Sequence, residues 1–263
     1  MFRRRKIGSC GSEKRDIRGE STRAITSLDS IAAKEYPQKD YSRPPGSIEV
    51  ILVRHGASQA ALEGQPFELL EGQADPSLSP VGERQAQLVA EHLAGEPLEA
   101  IYITTLRRTA QTAAPLAELT GLEPIVVPDL REVHLGALDG GAFRIALRRN
   151  DPVVAEVFRQ QRWDVIPGAE TMEAFAARTR AGLARMADGL QAGATIVAVV
   201  HGGVIGELCR QASDSRPFAF VHADNGSLSR LVLLPEGHWW VRSFNEGAHV
   251  RAGALSATTQ DPA

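Results

Sequence analysis

The sequence predicts an α/β fold in which a parallel sheet is covered by helices on both faces. Two observations carry this prediction: short β-branched runs alternate with longer segments of helical periodicity, and the strand-like runs are apolar throughout. Strands without polar alternation are typical of parallel sheets buried between two layers of helices. With 263 residues, 43% of them hydrophobic, the chain is long enough for one such domain with a sizeable core.

The elements follow one another in the alternating order that such a sheet requires. Strands are predicted over residues 48–53, 100–103, 125–127 and 195–200. Helices are predicted over residues 80–93, 106–119 and 171–190. Residues 229–234 and 239–244 flank a Pro-Glu-Gly-His turn and predict a hairpin that completes the sheet.

The two ends of the chain differ in composition from its centre. Residues 1–46 are polar, mixed in charge and end in Arg-Pro-Pro-Gly, so we expect a disordered tail there. The folded domain is expected over 47–250, followed by a short C-terminal tail over 251–263. A docking or nucleic-acid-binding arm is the alternative for the first segment, and a misassigned start codon would give the same pattern. No apolar stretch follows the basic residues 3–6, which argues against an export leader.

Charge and cysteine content narrow the classes of partner and compartment. The formal net charge is −3, which favours neither nucleic acid nor a membrane as partner. Cys10 and Cys209 are the two cysteines, too few for the several disulfide bridges of small secreted domains. No apolar run reaches the roughly 18 residues of a membrane span. We therefore expect a cytoplasmic protein without a nucleic-acid or membrane partner, and its oligomeric state, a homodimer included, stays open.

Two predicted strands end in the same way, with a histidine followed by glycine. Arg54 and His55 follow the first strand, and His201 and Gly202 follow the strand at 195–200. The carboxyl ends of parallel strands meet at one edge of the sheet, beside helix N-termini whose free N–H groups attract anions. The pattern therefore predicts a shared phosphate or carboxylate site, in which Gly202 lets the backbone approach the bound group.

Arg54 decides how His55 is interpreted. A lone histidine at a strand end is more often structural than catalytic. A guanidinium beside the ring lowers the pKa of the imidazole, which keeps it neutral and nucleophilic near pH 7, and it can bind phosphate oxygens bidentately. An ion pair with a purely structural role is the alternative for Arg54.

At this point the residues resemble a known family. Residues 52–58, Leu-Val-Arg-His-Gly-Ala-Ser, resemble the Arg-His-Gly signature of the histidine phosphatase superfamily, whose branches include phosphoglycerate mutases. The resemblance continues in sequence order through residues 75–86, 105–113, 131–140, 167–171 and 224–227. It implies a three-layer α/β/α sandwich with a mixed, mostly parallel central sheet, as in phosphoglycerate mutases.

The resemblance also implies roles for individual residues. His55 would accept the phosphoryl group, and Glu132 would be the proton donor, although a loop glutamate is otherwise usually just solvated. Arg54, Arg108 and His201 would hold the three equatorial phosphoryl oxygens, with Gly202 beside them. Such a site needs no cofactor, because arginines and imidazoles supply the positive charge. The remaining histidines show no metal-ligand spacing, so no metal is expected.

The function implied is a phosphomonoesterase that acts on small-molecule phosphate esters through a phosphohistidine. The main alternative is a phosphoglycerate mutase, which returns the phosphoryl group to a second hydroxyl. Glu132 and His201 are only 69 positions apart, which resembles the compact phosphatases. Ala57 and Ala61 depart from residues common in the mutases and put tight phosphoglycerate binding in doubt. A phosphoprotein phosphatase and a catalytically silent phospho-ligand binding module are the further alternatives.

Substrate specificity is expected from two loops, residues 59–75 and 142–166. The second contains a series of arginines that would bind additional anionic groups of a substrate or, as the simpler interpretation, form an exposed basic helix face. These are Arg144, Arg148, Arg149, Arg159 and Arg162. Glu170 is expected only to cap a helix.

Overall fold

The computed structural model describes residues 35–251. The chain divides into two compact units, Met1–Tyr41 and Ser42–Ala263. In the first unit, residues 35–41 form neither helix nor strand. The predicted tails over 1–46 and 251–263 lie for the most part outside the described residues and stay predictions.

The second unit is built on a six-stranded sheet with one small accessory hairpin. Its strands are β1 (Ile48–Arg54), β2 (Leu69–Leu70), β3 (Gln73–Ala74), β4 (Leu98–Ile103), β5 (Ile125–Val126), β6 (Thr195–Val200), β7 (Leu228–Leu233) and β8 (Trp239–Glu246). The central sheet has the order β5-β4-β6-β1-β7-β8, and β2 pairs only with β3. β1, β4, β5 and β6 are parallel, and β7 is antiparallel to both β1 and β8. The predicted mixed, mostly parallel sheet is therefore confirmed.

Six α-helices accompany the sheet within residues 35–251. They are α1 (Pro80–Leu93), α2 (Arg107–Thr120), α3 (Ala142–Arg148), α4 (Pro152–Gln160), α5 (Met172–Ala187) and α6 (Gly202–Ser213). α1, α2 and α5 lie within a few residues of the predicted helices. α3 and α4 occupy the segment expected as a loop, which is a correction. Asp151 separates them by capping α4, since its side chain accepts a hydrogen bond from the Val153 amide (2.8 Å).

Alternate residues of β1 face two separate hydrophobic cores. Val50 and Leu52 lie in a core with α5 and α6, where Phe175 and Leu208 are completely buried or nearly so. Ile51 and Val53 lie in a second core, formed with α1 and α2. Because a strand sends successive side chains to opposite faces, this arrangement gives the expected three layers, α/β/α. Truncating Leu52 to alanine would lower the free energy of unfolding by about 2–5 kcal/mol, because it would leave a cavity at a fully buried position.

Backbone contact fixes the loop after β1 against the start of α1. A side-chain carbon added at Gly56 would lie 2.4 Å from the Gly82 carbonyl oxygen. One added at Gly82 would lie 2.0 Å from the Ala57 carbonyl oxygen. Only glycine allows this approach, so the pair sets the position of the chain directly after His55. Ser79 is the N-cap residue of α1, and its hydroxyl accepts a hydrogen bond from the Gly82 amide (3.2 Å).

Within residues 35–251, no helix is both long enough and apolar enough to cross a membrane. Cys209 is buried in α6, and burial raises the pKa of its thiol to about 12, so it is unreactive near neutral pH. Cys10 lies outside the described residues.

Candidate active site

The two histidines that follow strands lie side by side. β1 and β6 are neighbours in the sheet, and Arg54 is paired with Val200 in register. The next residue of each chain segment is therefore at the same sheet edge. The rings of His55 and His201 meet edge to face with centroids 5.2 Å apart. The His55 amide also donates a hydrogen bond to the Val200 carbonyl (3.0 Å), which ties the end of β1 to the end of β6.

Hydrogen bonds fix which nitrogen of His55 carries its proton. Nδ1 lies 2.7 Å from the carbonyl oxygen of Gly56, an acceptor only, so Nδ1 carries the hydrogen. Nε2 then keeps a lone pair, and it accepts a hydrogen bond from Nε of Arg108 (3.2 Å). Burial, together with the charges of Arg108 and Arg54, holds the pKa of His55 well below its ordinary value. The ring is thus neutral near pH 7, with Nε2 available as a nucleophile.

Arg54 and Arg108 supply positive charge that no carboxylate neutralises directly. Among residues 35–251, neither guanidinium forms an ion pair within 4.0 Å. Arg54 Nη1 donates to the Ala223 carbonyl, and Arg108 Nη1 donates to the Ala74 carbonyl (2.9 Å). Burial lowers the pKa of Arg108 to about 10 and also lowers that of Arg54, while the charge of Glu132 acts in the opposite direction. Both arginines stay charged near pH 7, as an anion-binding pair requires.

A threonine orients the second histidine. Nε2 of His201 lies 3.0 Å from the hydroxyl of Thr104. The hydroxyl of Thr109 donates its own hydrogen to the Leu106 carbonyl (2.8 Å), and the hydroxyl of Thr104 can donate its hydrogen to Nε2 of His201 when it does not bond to the Thr109 oxygen (3.1 Å). In that arrangement Nδ1 of His201 carries the proton. Nδ1 is buried and has no partner among the described residues, so it is a spare donor beside His55.

Glu132 lies at the N-terminus of α6. Its Oε2 accepts a hydrogen bond from the Gly203 amide (3.1 Å), and its Oε1 accepts one from the Val133 amide (3.0 Å). A side-chain carbon at Gly203 would lie 2.4 Å from Glu132 Oε1, and one at Gly202 would lie 3.3 Å from Arg54 Nε. Gly202 was expected to let the backbone approach a bound group, and no role was expected for Gly203. In the structure they make room for the carboxylate and the guanidinium of the site itself.

An ion pair behind the cavity holds the loop that carries Glu132. Arg178 of α5 donates from Nη2 to the Glu132 carbonyl (2.7 Å) and from Nη1 to the Asp129 carbonyl (2.8 Å). Its Nε donates to Glu170 (2.7 Å). The expectation that Glu170 only caps a helix is wrong, because the capping side chain of α5 is Thr171 and Glu170 instead orients Arg178. These contacts fix the backbone of the loop that carries Glu132, the predicted acid.

One cavity of about 320 Å³ connects these groups. Five of the six predicted site residues line it, namely Arg54, His55, Arg108, Glu132 and Gly202. The sixth, His201, is completely buried and packs against His55 instead. The remaining wall is mostly apolar and comes from α3, α4 and the loops beside them. The cavity therefore has a cationic end at the strand termini and an apolar end under these helices.

Of the five arginines between residues 144 and 162, Arg144 alone lines this cavity. It lies at the rim and donates to the Gln59 carbonyl (2.9 Å) and the Ser58 hydroxyl (2.7 Å). Arg149, Arg159 and Arg162 pair with carboxylates on the protein surface. The exposed-face interpretation thus holds for most of the series and fails for Arg144, because α3 begins next to the cavity.

Sequence reasoning missed Gln73 and Thr104. Gln73 of β3 lines the cavity and donates from its side-chain amide to the Glu132 carbonyl. No motif marks it, since the short hairpin that presents it has no strand-like pattern of its own. Thr104 directly precedes the segment that supplies Arg108, and this position is the only sequence feature that could have pointed to a role for it.

The described region shows no grouping of three or more His, Cys, Asp or Glu side chains that would hold a metal ion. His92 and His249 stack on each other with ring centroids 4.6 Å apart, away from the cavity. His222 is exposed at the cavity rim, where its ring stacks on that of Phe158.

Comparison with known proteins gives a consistent set of relatives. Residues 50–247 match the histidine phosphatase superfamily (branch 1). A probable phosphoglycerate mutase, GpmB, of Yersinia enterocolitica is 31% identical over 79% of this chain and 97% of the relative. A metal-independent phosphoserine phosphatase of Arabidopsis thaliana is 30% identical over 77% of this chain and 83% of the relative. The structure of a mycobacterial glucosyl-3-phosphoglycerate phosphatase superposes with a TM-score of 0.64 at 26% identity, covering 76% of this chain and 99% of that one.

Proposed function

Because the chain belongs to the histidine phosphatase superfamily, branch 1, we propose that it is a phosphomonoesterase for small-molecule phosphate esters. One observation carries the proposal: Nε2 of His55 is an unprotonated nitrogen at the cationic end of the cavity, next to two arginines without carboxylate partners. This is the arrangement that attack on phosphorus requires. The proposed intermediate is a phosphohistidine at His55.

In the first step the lone pair of His55 Nε2 forms a bond to phosphorus while the bond from phosphorus to the ester oxygen breaks. Nδ1–H keeps its hydrogen bond to the Gly56 carbonyl, which stabilises the positive charge that the ring gains. Arg54 Nε–H, the Arg108 guanidinium and His201 Nδ1–H are the donors for the three equatorial oxygens. Substrate binding exchanges the contact between Arg108 and His55 for one between Arg108 and the phosphoryl group.

Glu132 is the proposed acid and base. As a carboxylic acid it gives its proton to the departing ester oxygen, so that the alcohol leaves neutral. The resulting carboxylate then takes a proton from water as the water oxygen attacks phosphorus. The bond between phosphorus and His55 Nε2 breaks, and phosphate and the neutral imidazole are released. Hydrogen bonds from the Gly203 and Val133 amides hold the carboxylate in place throughout.

The competing function is a phosphoglycerate mutase, in which a second hydroxyl of the substrate replaces water as acceptor. The name of the Yersinia relative favours it, whereas the Arabidopsis and mycobacterial relatives are named as phosphatases. We favour water as the acceptor because Ala57 and Ala61 stand where the mutases commonly carry polar residues, which counts against tight binding of phosphoglycerate. No metal ion takes part in the proposed steps.

Product analysis separates these functions. The purified protein is incubated with 3-phosphoglycerate and, separately, with 4-nitrophenyl phosphate, in the presence of a chelator. We expect release of inorganic phosphate from 4-nitrophenyl phosphate and loss of that release in His55→Ala. Formation of 2-phosphoglycerate faster than phosphate would replace the phosphatase by the mutase. Phosphate release that His55→Ala retains would overturn the assignment of the nucleophile, and no turnover of any ester would leave a silent binding module.

A further inference from the structure

We propose that the cavity selects phosphate esters whose alcohol part is a flat, apolar ring, such as arylalkyl phosphates, over phosphate esters of sugars. This inference rests on the proposed phosphatase function and adds the chemical class of its leaving group. The phosphoryl group is common to both kinds of ester, so selection must come from the opposite end of the cavity.

That end is formed by an aromatic wall, which we define as Phe143, Phe158, Trp163 and Phe218. The ring of Trp163 lies 4.7 Å from that of Phe218 and 5.9 Å from that of Phe143, and Phe158 lies 6.1 Å from Phe218. Phe143, Phe158 and Trp163 face the cavity, and Phe67 lines it as well. α3, α4, the segment after α4 and the loop around residue 218 thus bring their aromatic side chains together at this end of the cavity.

The wall is separate from the packing of the fold. Phe143, Phe158 and Phe218 belong to neither of the two hydrophobic cores, and Trp163 only touches the edge of one. All four rings keep part of their surface accessible. Partly exposed aromatic side chains that gather at a concave site, away from the cores, are typical of ligand-binding surfaces.

Two polar side chains that line the cavity, those of Gln73 and Asp139, are already used within the protein. Gln73 donates its side-chain amide to the Glu132 carbonyl. Asp139 accepts hydrogen bonds from the amides of Ala74 (2.7 Å) and Gly140 (3.0 Å) on Oδ1 and from Leu135 (3.0 Å) on Oδ2. The hydroxyls of a sugar would lose water on entering and find few partners, apart from residues at the rim. An apolar ring has no hydrogen bonds to water to lose, and it gains contact with the aromatic wall.

Size agrees with this assignment. A cavity of about 320 Å³ is at the lower end of the range for small-molecule sites, which suits a phosphoryl group with one compact ring. Arg144 at the rim lies over the Phe67 ring, with 5.9 Å between the guanidinium carbon and the ring centroid. This stacking holds the Arg144 guanidinium over Phe67, near enough to the phosphoryl end for its charge to act on His55.

The test compares three esters that share a primary methylene between ring and phosphate: benzyl phosphate, cyclohexylmethyl phosphate and glucose 6-phosphate. Their leaving alcohols make similar demands on Glu132, so differences in kcat/KM report ring binding. We expect kcat/KM for benzyl phosphate to exceed that for glucose 6-phosphate at least about tenfold, with cyclohexylmethyl phosphate between them. Equal or better hydrolysis of glucose 6-phosphate, dependent on His55, would overturn this inference alone. No hydrolysis of these esters or of 4-nitrophenyl phosphate would overturn the proposed function as well.

A variant of the wall locates the effect. Phe158→Ser is expected to lower kcat/KM for benzyl phosphate about tenfold and that for glucose 6-phosphate less than about twofold. Trp240→Ser is the matched control, because Trp240 is an exposed aromatic residue of the edge strand β8 and does not line the cavity. Equal losses on both esters in Phe158→Ser would count against the inference.

A binding measurement on the unaltered protein covers the case in which Phe158→Ser does not fold. Benzylphosphonate is expected to inhibit competitively with a Ki at least about tenfold lower than that of methylphosphonate. Equal Ki values for the two phosphonates would overturn the inference.

Discussion

The two ends of the cavity are built in different ways. At the cationic end, His55 and His201 are attached directly to β1 and β6, the two central strands of the sheet, whose residues 50–53 and 196–200 are fully buried. At the aromatic end, Phe143 and Phe158 are carried by α3 and α4, two short helices outside both cores. Chemistry is thus placed on the most rigid part of the molecule, and selection of the leaving group on the part that tolerates change.

The largest effect is expected at the cationic end, where neighbouring arginines provide a matched pair. Arg108→Ala should lower kcat/KM by about 10²–10³-fold for every ester, because it removes a charge that holds the transferring phosphoryl group. Arg107→Ala should change it less than about threefold, since Arg107 is exposed and pairs with Asp75 and Glu68. Steady-state kinetics with benzyl and 4-nitrophenyl phosphate measure both. If the loss of kcat/KM in Arg108→Ala differed strongly between esters, the two ends of the cavity would not act independently.

Glu132 lies between the two ends, and its effect should depend on the basicity of the leaving alcohol and not on its apolarity. Glu132→Gln is expected to lower kcat about 10²-fold or more for alkyl phosphates, which need protonation. The loss in the phosphorylation step for aryl phosphates should be much smaller. Glu71→Gln, which alters an exposed carboxylate paired with Arg131, is the control. The same loss in single-turnover phosphorylation by alkyl and aryl esters would contradict the acid role.

Arg178 tests whether the acid depends on support from outside the cavity. Arg178→Ala should lower kcat for alkyl phosphates about tenfold with little change in KM, because the Glu132 carbonyl loses one of its two side-chain hydrogen-bond donors and keeps only Gln73. Aryl phosphates should be affected much less in the phosphorylation step. Arg180→Ala on the same helix removes a guanidinium that lies over Trp239 and serves as the control. A rise in KM for all esters at constant kcat would indicate a structural role only.

The smallest expected effect comes from the two buried histidines and concerns how the free energy of unfolding depends on pH. Burial lowers the pKa of His55 and His201 below the usual value of 6.5, so the folded protein does not bind the protons that the unfolded chain binds below that pH. The free energy of unfolding should therefore decrease as the pH falls, by up to about 1.4 kcal/mol per pH unit for each histidine. Denaturant titrations between about pH 7 and about pH 5.5 measure the slope. His201→Asn should flatten it, and His238→Asn, at an exposed position, should not.

The same contrast explains what could be predicted from the sequence. The sequences of β1, β6 and α1 have hydrophobic patterns from which a strand or a helix can be predicted. The position of the two histidines at one edge then follows, because the strands that precede them are parallel. α3 and α4 are short, and the Asn150-Asp151-Pro152 break between them is typical of a loop. Their aromatic residues are separated in sequence and meet only after folding.

The residues that hold the site residues in place were the least predictable from the sequence. Arg178 resembles any other arginine on an amphipathic helix, and its contacts with three carbonyl oxygens depend on the path of a distant loop. Thr104 precedes a recognisable segment, but its contact with His201 spans 97 residues. Side-chain to backbone contacts of this kind leave no periodic signal in a sequence.

Direct detection of a phosphohistidine at His55 tests the central proposal. In Glu132→Gln, aryl phosphates still phosphorylate the enzyme, but removal of the phosphoryl group by water is slow because the base is missing. We expect the protein, mixed with 4-nitrophenyl phosphate and quenched in alkali, to carry one phosphoryl group on the peptide that contains His55, as seen by mass spectrometry. The double variant His55→Ala/Glu132→Gln should carry none. A phosphoryl group on another residue, or turnover of 4-nitrophenyl phosphate by the double variant, would contradict the account.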